Sequence, residues 1–151
     1  MYINFENVLI LIICYFIGSI PFGLLISLFL NKNDPRLVGS KNIGATNIAR
    51  ESGWKLGFLT LICDILKGYM PLIFFKGHAL SFELMILSIF VGHLFPIWIK
   101  FKGGKGIAVI IGCLLGYNVI YGLTFLFIWL VVALMSKYSS LSALIASSRV
   151  L

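Results

Sequence analysis

The chain has 151 residues, of which 60% are apolar and 11% charged, with a formal net charge of +7. A water-soluble domain of this size is excluded, because its surface needs a polar coat that so apolar a composition cannot supply; lipid as the solvent removes the difficulty. The positive balance does not indicate nucleic acid, since the basic residues are separated by long uncharged stretches instead of being arrayed on one soluble face, and anionic headgroups or phosphorylated substrates suit them better.

Four apolar regions follow one another. The first covers residues 5–30, with Glu6 near its start and no charge after it. It is too long for the apolar core of a signal peptide and no small-residue cleavage site follows, so a spanning helix is expected, about 20 apolar residues being enough to cross the hydrocarbon core. The second covers residues 54–75 and is interrupted by Asp64 and Lys67; the third covers 79–99; the fourth runs from 107 to 136 without a charge. As one helix the fourth would measure roughly 45 Å against a core of about 30 Å. Gly116-Tyr117-Asn118 offers a turn, so a short helix over 107–116 and a full one over 119–136 are expected. Residues 138–151 look like a sixth helix that stops early. The three cysteines, Cys14, Cys63 and Cys113, lie in apolar segments without metal-ligand spacing and read as small packing residues. Together these features predict an all-α, polytopic transmembrane bundle with about five full spans and a partial sixth, in a single domain over residues 1–151.

Charge placement tests that topology. Residues 31–55 carry Lys32, Arg36, Lys41, Arg50 and Lys55; the connection at 76–79 carries Lys76 alone; residues 100–106 carry Lys100, Lys102 and Lys105; Lys137 follows the fifth helix. With the split, the basic segments share one side. The positive-inside tendency makes that side cytoplasmic and the N-terminus external. Without the split, Lys137 lands on the opposite face.

Three polar segments carry the chemistry. The first, Gly39-Ser40-Lys41-Asn42-Ile43-Gly44-Ala45-Thr46-Asn47-Ile48-Ala49-Arg50, sets glycines, hydroxyls, amides and an arginine beside a membrane. Glycines let backbone N–H groups approach a ligand, and the planar guanidinium fork binds phosphate or carboxylate oxygens; the plainer alternative is a polar turn with a helix cap and a topology anchor. The second joins Gly92-His93-Leu94-Phe95-Pro96 to Phe101-Lys102-Gly103-Gly104-Lys105-Gly106 at the start of an apolar helix. Free N–H donors, a favourable dipole and a lysine make an anion cradle, although the Walker spacing is absent; a flexible interfacial turn is the alternative. In the third, Asp64 and Lys67 lie three apart on one helical face and can pair, either to orient a substrate or to lock helix packing. His78 and Glu83 approximate a histidine–x4–acid pattern, but on the opposite side from the phosphate-like loops.

With these residues in view, the chain resembles the bacterial, membrane-integral acyl-phosphate:glycerol-3-phosphate acyltransferase family. The matching stretches are Gly18-Ser19-Ile20-Pro21-Phe22-Gly23, the 39–50 loop, Asp64-Ile65-Leu66-Lys67-Gly68, and Gly92 to Pro96 through Lys105-Gly106, in the family's order; Tyr138-Ser139-Ser140-Leu141 also looks familial. Two features depart from the pattern. Ile107-Ala108-Val109 stands where the family has a threonine, and the third motif and C-terminal helices are lacking, so the chain is expected to be C-terminally truncated.

The resemblance implies transfer of a fatty acyl group from acyl phosphate to the 1-hydroxyl of glycerol 3-phosphate, giving 1-acylglycerol 3-phosphate for phospholipid synthesis in the bacterial inner membrane, with neither cofactor nor metal. Ser40, Arg50 and Lys105 would be catalytic. Asn42, Gly44, Thr46, Asn47 and His93, with a cradle of Gly103, Gly104 and Gly106, would bind substrate. The partners would be the two substrates and membrane lipid. Two alternatives remain at this level: a membrane transporter of an anionic or phosphorylated solute, for which no inverted repeat is visible, and an inactive truncated remnant.

Overall fold

The computed structural model describes residues 4–78, 80–136 and 138–150, and among them every regular element is helical. Lys137, counted above as a basic anchor, lies outside the described residues, as do Ala79 and Leu151.

Helix α1 (Phe5–Gly18) starts at Asn4, whose side chain accepts a hydrogen bond from the Asn7 N–H at 2.9 Å. The predicted single span over 5–30 is broken: α1 and α2 (Phe22–Phe29) meet at 41° through Ser19-Ile20-Pro21. Pro21 has no N–H to continue the ladder and its ring disfavours helical backbone at the residue before it. Hydropathy is blind to this, because nothing at the break is charged.

The stretch expected to be a loop before the second span contains the short helix α3 (Ala45–Ser52), followed by α4 (Trp54–Phe74). Buried residues of α4 recur as Gly57, Thr60, Asp64, Lys67, Gly68 and Leu72, a stripe at helical spacing that includes both charges. Next come α5 (Phe82–Leu94) and a 3-10 turn (Ile97–Ile99). The apolar run after them divides into α6 (Ile107–Tyr117) and α7 (Val119–Ser136) at Asn118, whose extended backbone interrupts the helix and whose side chain accepts from the Ile120 N–H at 2.9 Å. The expected split is therefore present, one residue later than placed. Helix α8 (Ser139–Val150) occupies the position of the short sixth helix.

Among the described residues three segments, Trp54–Phe74, Phe82–Ile99 and Val119–Ser136, are each long and apolar enough to cross a membrane, and α1 and α2 pass the same test only when taken together across their bend. Helix α6, predicted as a span, has 11 residues, about 16 Å of helix, and is too short to cross alone.

Glycines set the packing. A Cβ on Gly18 would collide with the Ile89 carbonyl and one on Gly92 with that of Tyr15, so α1 and α5 touch backbone to backbone. Gly68 and Gly112 do the same for α4 and α6, against Val109 and Ile65. Such close approach replaces the hydrophobic drive that lipid cannot provide. Both pairs are parallel: Leu11 accepts from Ser88 and Phe95 from Tyr15 in the first, and Ile65 faces Gly112 while Leu72 faces Gly116 in the second. It follows that the starts of α3, α4 and α6 gather with the ends of α5 and α7 at one end of the bundle. That end holds the 31–53 and 95–106 connections and the first turn of α4, with eight of the basic residues, Lys32, Arg36, Lys41, Arg50, Lys55, Lys100, Lys102 and Lys105. The other end holds Glu6, paired with His78 at 3.0 Å, and Lys76. Cys14 and Cys113 pack in the core and all three cysteines are unbridged.

Candidate active site

Past α2 the chain turns through Asn31, in the left-handed region at φ 51°, and the Lys32 N–H closes on the Ser27 carbonyl at 2.8 Å. Arg36 grips Asp34 through two nitrogens, with Nη2 2.6 Å from Oδ2, and this guanidinium holds the Asp34 carboxyl below the usual carboxylate range. The rest of the turn wraps around one buried side chain. Asn47 Oδ1 accepts from the Ser40 N–H at 2.9 Å, while Nδ2 lies within donating distance of the carbonyls of Asn42 (2.9 Å), Pro35 (3.0 Å) and Val38 (3.2 Å). Asn42 Oδ1 in turn accepts from the Gly44 N–H at 2.8 Å. The outcome is a fixed turn on which Ser40, Thr46 and Arg50 remain exposed, the last two stacked one helical turn apart on α3.

The second turn is built from backbone. The Gly103 N–H donates to the Leu94 carbonyl at 3.0 Å and the Gly104 N–H to the His93 carbonyl at 3.2 Å. These two glycines lie so close beneath α5 that a Cβ would strike the His93 carbonyl in one case and the His93 ring in the other. Lys100 and Phe101 precede them in left-handed conformations, φ 55° and 61°, which a non-glycine residue adopts only when its surroundings enforce it. Gly106, at φ 81°, then starts α6.

Both turns open onto a cavity of about 240 Å³ at the basic end of the bundle. Ser40, Asn42, Arg50 and the stretch from Gly44 to Asn47 form one side; Lys105 to Ala108 and Ile111 form another. Leu61 and Asp64 of α4 and His93 of α5 contribute from the bundle, and Trp129, Tyr138 and Ser140 from α7 and α8. Helices α3 and α6 both begin on this cavity, at Gly44 and Gly106, and neither has a side-chain cap. The first N–H groups of a helix lack intrahelical partners and carry partial positive charge. Two such starts, with Arg50 and Lys105, give the cavity an electropositive, donor-rich wall suited to phosphate.

Of the residues singled out from sequence, Ser40, Asn42, Gly44, Thr46, Asn47, Arg50, His93, Lys105 and Gly106 line this one cavity although they span residues 40–106. Gly103 and Gly104 stand behind His93, and their N–H groups already donate to α5, so they shape the wall instead of facing an anion. Asn47 likewise has its amide committed to the turn, which makes it a positioning residue in this conformation. Asp64, weighed in the sequence for substrate or for packing, lines the cavity and also pairs with Lys67 at 2.8 Å, the two side chains being 4% and 2% exposed. Sequence reasoning missed Leu61 and Trp129, apolar residues that nothing in their helices marks out, and it quoted Tyr138 and Ser140 without a role. His78 and Glu83 lie at the far end of the bundle. Among the described residues, no three His, Cys, Asp or Glu side chains come together.

Residues 8–151 match the family model for glycerol-3-phosphate acyltransferase. The chain is 44% identical over 146 residues to a glycerol-3-phosphate acyltransferase of Pelagibacter ubique, covering 96% of this chain and 76% of that one. It is 46% identical over 149 residues to the corresponding protein of Bartonella henselae, covering 95% and 71%. Among solved structures, it superposes with a TM-score of 0.86 on the crystal structure of PlsY (YgiH), an integral membrane glycerol 3-phosphate acyltransferase, in its glycerol 3-phosphate form, at 37% identity and covering 93% of this chain and 72% of that one. The lysophosphatidic acid form of the same protein gives the same TM-score at 35% identity, with 96% and 74% covered.

Proposed function

The chain belongs to the glycerol-3-phosphate acyltransferase family, and from that premise we propose a division of labour within its cavity and an acyl donor. It is an integral membrane enzyme of phospholipid synthesis that acylates glycerol 3-phosphate, which sets the transport alternative aside. The donor is acyl phosphate. Its mixed anhydride is already activated: the 1-hydroxyl oxygen attacks the acyl carbon, the carbon–oxygen bond to phosphate breaks, and phosphate leaves with the electron pair. A phosphate oxygen takes the hydroxyl proton, so no protein nucleophile is needed.

One observation carries this reading: two glycine-capped helix starts, at Gly44 and Gly106, meet Arg50 and Lys105 at a single cavity. Two phosphate-bearing substrates must be held side by side against their mutual repulsion, and fixed donors and cations do that without reorganising during the reaction. Ser40 and Arg50 act on the phosphates, Lys105 neutralises charge at the start of α6, and Thr46 and Asn42 add neutral donors. The apolar side chains of Leu61, Ile111 and Trp129 receive the first carbons of the acyl chain. The basic end faces the cytoplasm of a bacterial inner membrane and the N-terminus lies outside, as the positive-inside tendency favours.

Purified protein in lipid vesicles, given palmitoyl phosphate and glycerol 3-phosphate, is expected to form 1-palmitoylglycerol 3-phosphate, read by mass spectrometry. Product with an acyl thioester but none with acyl phosphate would refute the donor; product with neither would favour the remnant alternative. Arg50→Ala and Ser40→Ala are expected to abolish turnover while the protein remains monodisperse. For sidedness, a membrane-impermeant thiol reagent added to intact spheroplasts should label Lys76→Cys and spare Lys41→Cys, and the reverse pattern would invert the topology.

A further inference from the structure

The cavity has two chemically different walls. One is cationic, with Arg50, Lys105 and the starts of α3 and α6; the other carries Asp64 and His93. Both of these residues are buried, at 3% and 4% exposure, in a span where ionisable groups are costly and mark function by default. His93 Nδ1 is a buried side-chain atom without a hydrogen-bond partner among the described residues, and the Asp64 carboxylate meets Lys67 through Oδ1 with no second donor on the cavity side. A buried imidazole nitrogen and a carboxylate so placed have capacity for a partner that the protein does not supply.

Asp64 is anchored from behind. Lys67 Nζ lies 2.8 Å from Asp64 Oδ1, donates to the Ile20 carbonyl at 2.8 Å, and sits 5.7 Å from the centre of the Phe22 ring. Lys67 does not itself reach the cavity. It ties a carbonyl released by the break at Pro21 to a carboxylate that does. A carboxylate only accepts hydrogen bonds. Placed in a cavity built for anions, it repels a phosphate from its own wall and attracts a hydroxyl, which can donate its one proton to it and still accept from an imidazole N–H on the same wall.

We propose that Asp64, with His93 beside it, is the hydroxyl-recognition wall of the cavity: it accepts a hydrogen bond from the carbon-2 hydroxyl of glycerol 3-phosphate, and Lys67 is the positioning residue that holds it there, all of this resting on the cavity being the glycerol-3-phosphate site. The phosphate at the cationic wall and the hydroxyl at the acidic wall together fix which end of the glycerol is presented for acylation. A site that hydrogen-bonds a hydroxyl discriminates strongly against an analogue lacking it, because the buried acceptor is then left unpaired.

The test compares glycerol 3-phosphate with 3-hydroxypropyl phosphate, which lacks only the carbon-2 hydroxyl, at fixed palmitoyl phosphate. The native enzyme is expected to prefer glycerol 3-phosphate by at least about 100-fold in kcat/KM. In Asp64→Asn that preference should shrink by about 10-fold or more, through a raised KM for glycerol 3-phosphate and little change for the analogue. Lys67→Arg, which keeps the ion pair, should retain the preference. Should Asp64→Asn misfold with Lys67 left unpaired, the double variant Asp64→Asn with Lys67→Met removes both charges, and it should stay folded yet lose the discrimination. An unchanged preference in either folded variant, or equal use of both compounds by the native enzyme, overturns the assignment of Asp64. Acylation of neither compound by the native enzyme would instead overturn the glycerol-3-phosphate reading on which it rests.

Discussion

The turn before α3 and the turn before α6 wall the same cavity and are held by opposite means. The first hangs on a single side chain: Asn47 gathers the Ser40 N–H and the carbonyls of Pro35, Val38 and Asn42, leaving Ser40, Thr46 and Arg50 exposed. The second has no such organiser; its glycine N–H groups bond to the last carbonyls of α5, and Gly103 and Gly104 fill a space in which no Cβ fits. A turn held by a side chain can be loosened by degrees, whereas a turn held by contact between backbones tolerates no added atom. Substitutions in the two should therefore fail in different ways.

Among the residues that hold the two turns in shape, the largest effect is expected at Gly103. Alanine there strikes carbonyls of His93 and Leu94 that cannot move without unwinding the end of α5, a strain of about 3 kcal/mol or more. Gly103→Ala should lose activity about 100-fold or beyond and lower the thermal unfolding midpoint in detergent; near-native values would show the α5 contact to be loose. Next comes Asn47→Ala, which strands up to three carbonyls and one N–H at about 2 kcal/mol. Its signature is a raised KM for glycerol 3-phosphate, with faster amide exchange over residues 38–47 and α4 unchanged; uniform exchange across the bundle would refute a local role. Gly104→Ala meets the His93 ring, which can shift, so a KM increase of about 10-fold with kcat largely kept is expected. If Gly103→Ala and Gly104→Ala behave alike, the contrast between backbone and side-chain neighbours fails.

The smallest effect lies at the rim of the first turn. The Arg36 guanidinium lowers the Asp34 pKa, so the pair stabilises the turn at pH values above the ordinary Asp pKa of about 4 and that contribution fades as pH falls through the lower folded value. Being exposed, the pair contributes less than about 1 kcal/mol. Arg36→Ala should change activity by less than about 3-fold at neutral pH and remove any acid-side loosening of the turn seen by exchange. A larger loss would place Arg36 in the site.

Much of this was legible in the sequence. The helical class and the break within 107–136 follow from hydropathy and length, and residue type marks the polar segments, while the choice of site residues within them came from the family resemblance. Other features were hidden for physical reasons. The bend at Ser19-Ile20-Pro21 carries no charge, and its carbonyl is satisfied by Lys67 from another helix, a tertiary fact. Asn47 is indistinguishable by type from Asn42, and only its four backbone partners, against the single one of Asn42, separate them. Asp64 was visible as a charge in a span, but not as a member of the cavity, because helix rotation is set by Gly68 against Val109. Helix α3 was obscured because its eight residues are too few and too polar for periodicity to register.

The seams between α1 and α5 and between α4 and α6 are closed by glycines, so main chain meets main chain without intervening side chains. Such a seam offers no crevice for a lipid tail or a detergent molecule to wedge into. Extraction from the bilayer should therefore leave the four-helix frame that carries Asp64, His93 and the start of α6 intact. The harsher test of a solubilising agent is α7, which is largely lipid-facing and meets α6 through Leu115 against Gly122. Preparations that lose activity in detergent would then be losing Trp129 from the cavity wall before they lose the anion site.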